Sequence, residues 1–280
     1  MTTFDLSPEL LEKHRQLTDC FAGVRSCGIA FSGGVDSSLL AYAAHQVLGD
    51  RATAIYLVSE TSTAVEQETA KKIASEIGIR LLIVRGEEFT EPEFVRNGTD
   101  RCYHCKRVRF SQLLTWAKAN RVELVVEGSN ADDANDYRPG SKAASELGIR
   151  APLMEVGLTK QEIRQLARHF GLSNWDMPSS PCLATRIEYD LPITTERLER
   201  IAAAEAFFAM QGFSPVRIRL HGNDLARIEI AAGQVERFLD EDFRRFVNKK
   251  LTELGFRFVT LDLLGFQSGS MNRGILRVTG

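Results

Sequence analysis

The sequence predicts an α/β chain, a doubly wound parallel sheet with covering helices, followed by a smaller C-terminal α+β domain. Three observations lead there. At residues 27–38, Cys-Gly-Ile-Ala-Phe-Ser-Gly-Gly-Val-Asp-Ser-Ser, an apolar strand ends in a glycine pair and runs directly into a helical pattern. β-rich runs and helical patterns then alternate as far as Val126 at the spacing of crossover connections. Beyond Tyr189 the rhythm changes, which sets the expected domains at 1–188 and 189–280.

Each element follows from its residues. Residues 8–19 read as a polar amphipathic helix leading to a first strand at 28–31, short and apolar enough to be buried. Asp36 to Leu48 sets Leu39, Leu40, Ala43, Ala44 and Val47 at helical spacing. Residues 52–58 form the second strand, 63–77 a helix whose Glu66, Glu68, Lys71 and Lys72 make a solvated face, and 80–84 the third strand. Residues 112–120 end another helix and 122–126 are the fourth strand. The polar run 130–140 reads as a loop facing a nucleotide or substrate at a strand end. Residues 151–154 read as a short strand, and Thr159-Lys-Gln-Glu162 as a capping box opening a helix that reaches about His169 and closes at Gly171. The proline-rich stretch 175–186 reads as irregular. A helix near 194–211, strands near 216–220 and 225–230, a helix near 234–253 and a strand near 257–262 complete the chain.

With 280 residues, 44% apolar and 26% charged, and a net charge of -2, the chain reads as an ordinary soluble globular protein. Its charge argues against a broad nucleic-acid surface. No apolar run approaches the roughly 18 residues of a transmembrane helix. The first ten residues lack the basic and apolar regions of a signal peptide, so the expected setting is the cytoplasm, without membrane or stable nucleic-acid partners. Five cysteines, an odd number, suit metal or catalytic use better than a disulfide framework there. Cys20 and Cys27 sit among apolar residues and read as inert core thiols.

Residues 32–38 read as an anion cradle. Gly33 and Gly34 can take positive φ and let the backbone approach a ligand, while Ser32, Ser37 and Ser38 add hydroxyls beside the N–H groups of the first helical turn. The spacing matches neither a Walker loop nor a dinucleotide fingerprint. Ser59, at the end of the second strand, and Gly128, at the end of the fourth, stand where open α/β sheets bind ligands. Cys102 and Cys105 form a C-x-x-C that alone is compatible with a redox pair, half of a zinc site or coincidence. With Cys182 they make three soft ligands with an open fourth position, which suits a [4Fe–4S] cluster; zinc, with His104 a poor fourth ligand, and independent thiols are the alternatives.

Ser32-Gly-Gly-Val-Asp-Ser-Ser38 resembles the PP-loop of the ATP pyrophosphatases, which adenylate a substrate oxygen and release pyrophosphate. Further motifs are Asn135-Asp-Tyr-Arg-Pro-Gly140, Pro181-Cys-Leu-Ala-Thr-Arg186, Val216-Arg-Ile-Arg219, Ala226-Arg-Ile-Glu229 and the stretch 261–272. Together they resemble the LarE family of ATP-dependent sulfur transferases over nearly the whole chain. The resemblance implies an adenine nucleotide alpha hydrolase-like fold, ATP with Mg²⁺, and pyridinium-3,5-biscarboxylic acid mononucleotide as the substrate converted to a thiocarboxylate in nickel-pincer nucleotide biosynthesis. It also implies a homo-oligomer built on trimers. One kind of member gives up the sulfur of a single cysteine, and the other carries three cysteines that hold a [4Fe–4S] cluster. Cys102, Cys105 and Cys182 make this sequence resemble the second kind, with Cys182 the sulfur donor if no cluster forms. The resemblance further implies that Asp36 holds Mg²⁺ on the pyrophosphate and that Arg186 grips a phosphate or the activated acyl group. Arg217 and Arg219, on one face of a strand, would bind the substrate's phosphate, with Glu205 near the site. Competing readings are a PP-loop tRNA thiolase, an amidating synthetase and a nucleotide-binding regulator without catalysis.

Overall fold

The computed structural model describes residues 6–135, 139–178, 181–267 and 269–272. Two compact units divide the chain: residues 1–94 with 100–180, and residues 95–99 with 181–280. The short segment 95–99 belongs with the second unit because its backbone is bonded there. Val95 O accepts from Ile193 N at 2.8 Å, and Asn97 Nδ2 donates to the Glu188 and Leu191 carbonyls, both at 2.8 Å.

The first unit runs α1 (Pro8–Asp19), β1 (Cys27–Ala30), α2 (Val35–Leu48), β2 (Ala52–Val58), α3 (Ala64–Ile77), β3 (Arg80–Arg85), α4 (Pro92–Arg96), α5 (Arg101–Ala119), β4 (Leu124–Val126), α6 (Pro139–Glu146), α7 (Pro152–Glu155) and α8 (Lys160–His169). Its strands form one parallel sheet in the order β3-β2-β1-β4, with Ile29 of β1 level with Ala54 on one side and Val126 on the other. Both faces are covered, so β2 reads as continuous apolar sequence. Ala54 and Tyr56 pack into a core with Leu39, Leu40, Ile163 and Leu166, whereas Ile55 and Leu57 pack with Phe110, Leu113 and Val125. Helices α3 and α8 open on capping boxes, Thr63 with Glu66 and Thr159 with Glu162.

The second unit contains α9 (Thr195–Met210), β5 (Val216–His221), β6 (Leu225–Ile230), α10 (Glu241–Glu253) and β7 (Phe258–Leu261). Its sheet has the order β5-β6-β7, antiparallel between β5 and β6 and parallel between β6 and β7. Phe208, Phe213, Phe238 and Phe243 pack ring to ring in this unit. No helix among the described residues is long and apolar enough to cross a membrane.

Three expectations are corrected. Residues 151–154 are not a strand: Pro152 opens the short helix α7, and only Arg150 bridges to Val126. The helix expected over 234–253 is broken, because Asp240 leaves the helical region and its carboxylate caps α10 by accepting from Phe243 N at 2.8 Å; 232–239 is a 3₁₀ segment. The run 130–140 is not all loop, since 131–135 is a 3₁₀ turn and α6 begins at Pro139; residues 136–138 of the Asn135–Gly140 motif lie outside the described residues.

Gly33 has φ +75, and a Cβ placed on it would meet Ala70 Cα at 2.8 Å and Ala70 N at 3.0 Å. Gly34 is extended, with φ -75, and a Cβ there would meet only the Ser32 hydroxyl at 3.3 Å. Gly33→Ala is therefore expected to destabilise the protein by about 2 kcal/mol or more, the strain of the left-handed region plus a backbone clash. Gly34→Ala is expected to shift the urea midpoint far less, which paired denaturation curves check.

Candidate functional site

The site of the first unit begins where β1 meets α2. Gly34 is the N-cap of a 14-residue helix and provides no side-chain cap, so the positive end of α2 is presented uncovered. The turn is wired internally. Ser32 N donates to Ser37 Oγ at 3.2 Å, Ser37 Oγ donates to Gly34 O at 3.0 Å, and Gly34 N donates to Ser32 Oγ at 3.3 Å. Ser38 is turned inward: it donates to Gly34 O at 2.9 Å and accepts from Asn174 Nδ2 at 2.9 Å, while that amide also donates to Gly33 O at 2.8 Å. Ser38 and Asn174 thus brace the loop from behind.

A cavity of about 310 Å³ opens in front of this turn, within the range of small-molecule sites. Ser32, Gly34, Asp36, Ser37 and Gly128 line it together. Gly128 permits the approach of β4 to α2, since a Cβ there would stand 3.1 Å from Ser37 N. Ile55, Leu57, Phe110 and Leu113 make the apolar wall, and Lys106, Arg109, Glu127 and Asp133 add charge. Of these, Lys106, Arg109, Glu127 and Asp133 were not among the expected site residues. The signal for the two cations was present: positions 106, 109, 110 and 113 share one face once α5 is seen to start at Arg101.

Asp36 Oδ2 lies 2.5 Å from Lys160 Nζ, and its Oδ1 is buried without a hydrogen-bond partner among the described residues. Burial pushes the Asp36 pKa up and Asp133 adds to the rise, with Lys160 and then the Asn130 side chain pulling against it. A carboxylate with one oxygen unsatisfied in a desolvated position suits a divalent cation, so the residues fit Mg²⁺. The uncapped helix end and the Gly33–Gly34 turn likewise fit a polyphosphate. Ser59 is engaged at the end of β2: it donates to Glu88 Oε1 at 2.5 Å, and Arg109 Nη1 reaches the same oxygen at 3.0 Å while Nη2 donates to the Leu57 carbonyl. Glu88 is fully buried.

The five cysteines form no disulfide with one another among the described residues. Cys27 is buried and burial pushes its pKa up to about 12, and Cys20 is raised by the same cause. Cys102 and Cys105 stand in the opening turns of α5, exposed and half-buried respectively, three residues apart and so on adjoining positions of the helix surface. Cys182 is exposed in the second unit. Three accessible thiols are the soft donors an iron–sulfur cluster takes, although no group of three or more His, Cys, Asp and Glu side chains stands arranged for a metal among the described residues.

In the second unit Arg217 is half-buried over the Phe266 ring, 5.4 Å from its centroid, and its guanidinium donates only to Val216 O, at 2.8 Å. It makes no ion pair among the described residues, and its pKa is pulled down by burial and then by Arg186 and Arg219. Glu205 and Glu229 act on this guanidinium only at longer range, and no carboxylate among the described residues is in hydrogen-bond contact with it. Arg219, by contrast, is 6% exposed and forked onto Glu229 Oε2, at 2.9 and 2.8 Å. Arg186 is 3% exposed and bidentate to Glu205, at 3.0 and 3.2 Å.

Comparison with known proteins places this geometry. The NAD synthase family model matches residues 21–180. A protein of Lactiplantibacillus plantarum, pyridinium-3,5-bisthiocarboxylic acid mononucleotide synthase, is 38% identical over 94% of this chain and 95% of its own. An uncharacterised Synechocystis protein is 40% identical over 94% of this chain and 98% of its own. A glutamine-hydrolysing GMP synthase subunit of Archaeoglobus fulgidus is 29% identical over 63% of this chain and 61% of its own. With more than half of the chain matching the NAD synthase model, and nearly all of it matching the synthase of L. plantarum, the chain belongs to the PP-loop ATP pyrophosphatases and, among them, to the LarE family.

Proposed function

We propose that this enzyme is an ATP-dependent sulfur transferase that acts on pyridinium-3,5-biscarboxylic acid mononucleotide and forms the thiocarboxylate used in nickel-pincer nucleotide biosynthesis. The observation that carries the reading is the extent of the likeness to the L. plantarum synthase, which takes in the Cys182 and Arg217 segments as well as the nucleotide loop. The likeness to the GMP synthase of A. fulgidus covers only 63% of this chain and speaks for shared nucleotide chemistry.

In this reading a substrate carboxylate oxygen attacks the α-phosphorus of ATP and the bond to pyrophosphate breaks. The α2 N-terminus, Ser32 and Ser37 hold the leaving phosphates, and Lys106 and Arg109 offset charge on the cavity wall. Asp36 would hold Mg²⁺, which would supply charge neutralisation on the pyrophosphate. The apolar wall of Ile55, Leu57, Phe110 and Leu113 receives the base. Sulfur then attacks the acyl carbon and AMP departs with the former carboxylate oxygen. Arg217 holds the phosphate of the mononucleotide by a charge-assisted pair. Cys102, Cys105 and Cys182 would hold a [4Fe–4S] cluster, whose chemistry is to carry a sulfide for repeated turnover. Without it, Cys182 gives its own sulfur by breaking its Cβ–S bond, with loss of the Cα proton, and becomes dehydroalanine. Residues 189–280 form the substrate-binding and oligomerisation domain of a trimer-based assembly in the cytoplasm; exposed Met210, Leu239 and Leu263 offer apolar contact there.

Three outcomes test this reading. Adding the mononucleotide to enzyme with ATP and Mg²⁺ is expected to release pyrophosphate and yield thiocarboxylate, followed by mass spectrometry; ATP turnover without a thiocarboxylate product would sink it. Protein purified without oxygen is expected to contain about four irons per chain, the content of one cluster, lost in Cys102→Ala; iron-free protein that still makes product returns the donor role to Cys182, which then loses one sulfur per product. Asp36→Asn is expected to cut pyrophosphate release roughly a hundredfold, the scale of a lost charge-stabilising contact, without lowering the melting temperature of nucleotide-free protein at neutral pH. The sign follows from the raised pKa: the contribution of this carboxyl to stability is present below the ordinary aspartate pKa and is lost as pH rises through the raised value.

A further inference from the structure

We infer that Arg186 and Glu205 are positioning residues that clamp the Cys182 loop to strand β5, that Arg219 with Glu229 forms a second clamp on the same loop, and that Arg217 alone of the three arginines is left to meet a ligand anion. The inference rests on the proposed function for what the position of Cys182 serves.

The donors of Arg186 are spent on Glu205 and on its own loop. Nε and Nη2 go to the two oxygens of Glu205, and Nη1 lies 2.5 Å from Pro181 O, 3.2 Å from Cys182 O and 3.1 Å from Thr185 Oγ1. The Cys182 carbonyl is held twice more, by Thr185 N at 3.0 Å and Thr185 Oγ1 at 2.8 Å. Glu205 comes from α9 and also accepts from Ile218 N at 3.1 Å, so one carboxylate ties the loop, through Arg186, to the backbone of β5. From that strand Arg219 Nη1 reaches back to Thr185 O at 3.2 Å while Glu229 holds the rest of its guanidinium. Glu229 is fully buried and is itself fixed by Arg227 at 2.9 Å and the Ser270 hydroxyl at 2.5 Å.

A guanidinium that is almost wholly buried must keep its N–H groups satisfied, and here the partners are loop carbonyls and a carboxylate. To grip a substrate phosphate, Arg186 or Arg219 would have to abandon those bonds. The backbone of Cys182 is anchored while its side chain remains exposed. That arrangement suits a sulfur that must meet an acyl carbon, because small misplacements of a reacting atom are costly in rate.

The test is hydrogen exchange by mass spectrometry on the full-length chain, wild type beside Glu205→Gln and Arg186→Lys, with thiocarboxylate kinetics on the same preparations. The clamp predicts at least tenfold faster exchange in the peptide spanning 181–187 with other peptides of the unit unchanged. It also predicts a fall in kcat of about tenfold with KM for the mononucleotide within twofold. A tenfold rise in KM with exchange unchanged would place these residues on the substrate and overturn the inference, as would exchange and kinetics that both stay at wild-type values. Faster exchange throughout the unit in both variants would make the pair a general core element and overturn it equally. Should wild type make no thiocarboxylate, the proposed function fails, and local exchange alone decides the clamp.

Discussion

The structure depends on leaving the N-terminus of α2 without a side-chain cap. A helix end normally recruits a serine, threonine or aspartate to cover its first N–H groups. Here the capping position is Gly34, and the nearby hydroxyls are turned to other work. Ser37 and Ser38 bond back to the Gly34 carbonyl, and Asn174 fastens the loop from a segment far along the chain. Gly33 takes its left-handed turn because it has no Cβ, and that same lack lets Ala70 of α3 pack directly against it. A strand, two helices and a distant loop thus cooperate to keep one helix end rigid and bare, which is what a polyphosphate site requires.

Around both candidate sites, charges are buried in multiply bonded sets rather than isolated pairs. Glu88 collects Arg109, Ser59 and Thr61; Glu205 collects Arg186 and a strand amide; Glu229 collects Arg219, Arg227 and Ser270. Desolvation makes such groups poor sources of net stability, and their geometry is the better reason for keeping them. Asp36 and Arg217 stand apart from these sets. Asp36 keeps a buried oxygen unsatisfied and Arg217 a guanidinium without a carboxylate, and each is pushed toward its uncharged form by burial. Other buried atoms, such as Glu88 Oε2 and Asn174 Oδ1, also lack a partner among the described residues, so Asp36 and Arg217 are singled out by position: one lines the cavity at the glycine turn, and the other is a guanidinium with no carboxylate in hydrogen-bond reach among the described residues.

Legibility in the sequence tracked the range of the interactions. The strand, glycine turn and helix at 27–48 were readable because each signal is local: apolar run, glycine pair, helical period. The capping box at Thr159 was readable for the same reason, whereas Glu66, read as part of a solvated face, closes a second box with Thr63. The segment at 151–154 misled because four apolar or small residues look alike in a strand or a short helix, and Pro152 at a first helical position was the overlooked cue. The break at Asp240 was hidden by a nearly continuous helical pattern on either side of a capping residue. Cys102 and Cys105 stood out by type, whereas Lys106 and Arg109 did not, since lysine and arginine on a helix ordinarily face water.

By itself the sequence determined the parallel α/β core, the anion-binding loop, the three candidate cysteines and the family, all of which rest on short-range patterns and residue chemistry. Tertiary structure decided which of the candidate residues are available. Ser38 faces inward and braces the loop, Ser59 is bonded to Glu88, and the two arginines of Val216-Arg-Ile-Arg219, indistinguishable by spacing, differ completely in their partners. The physical reason is that a side chain's availability depends on what desolvates and satisfies it. Those partners come from segments tens of residues away, brought together only by the fold.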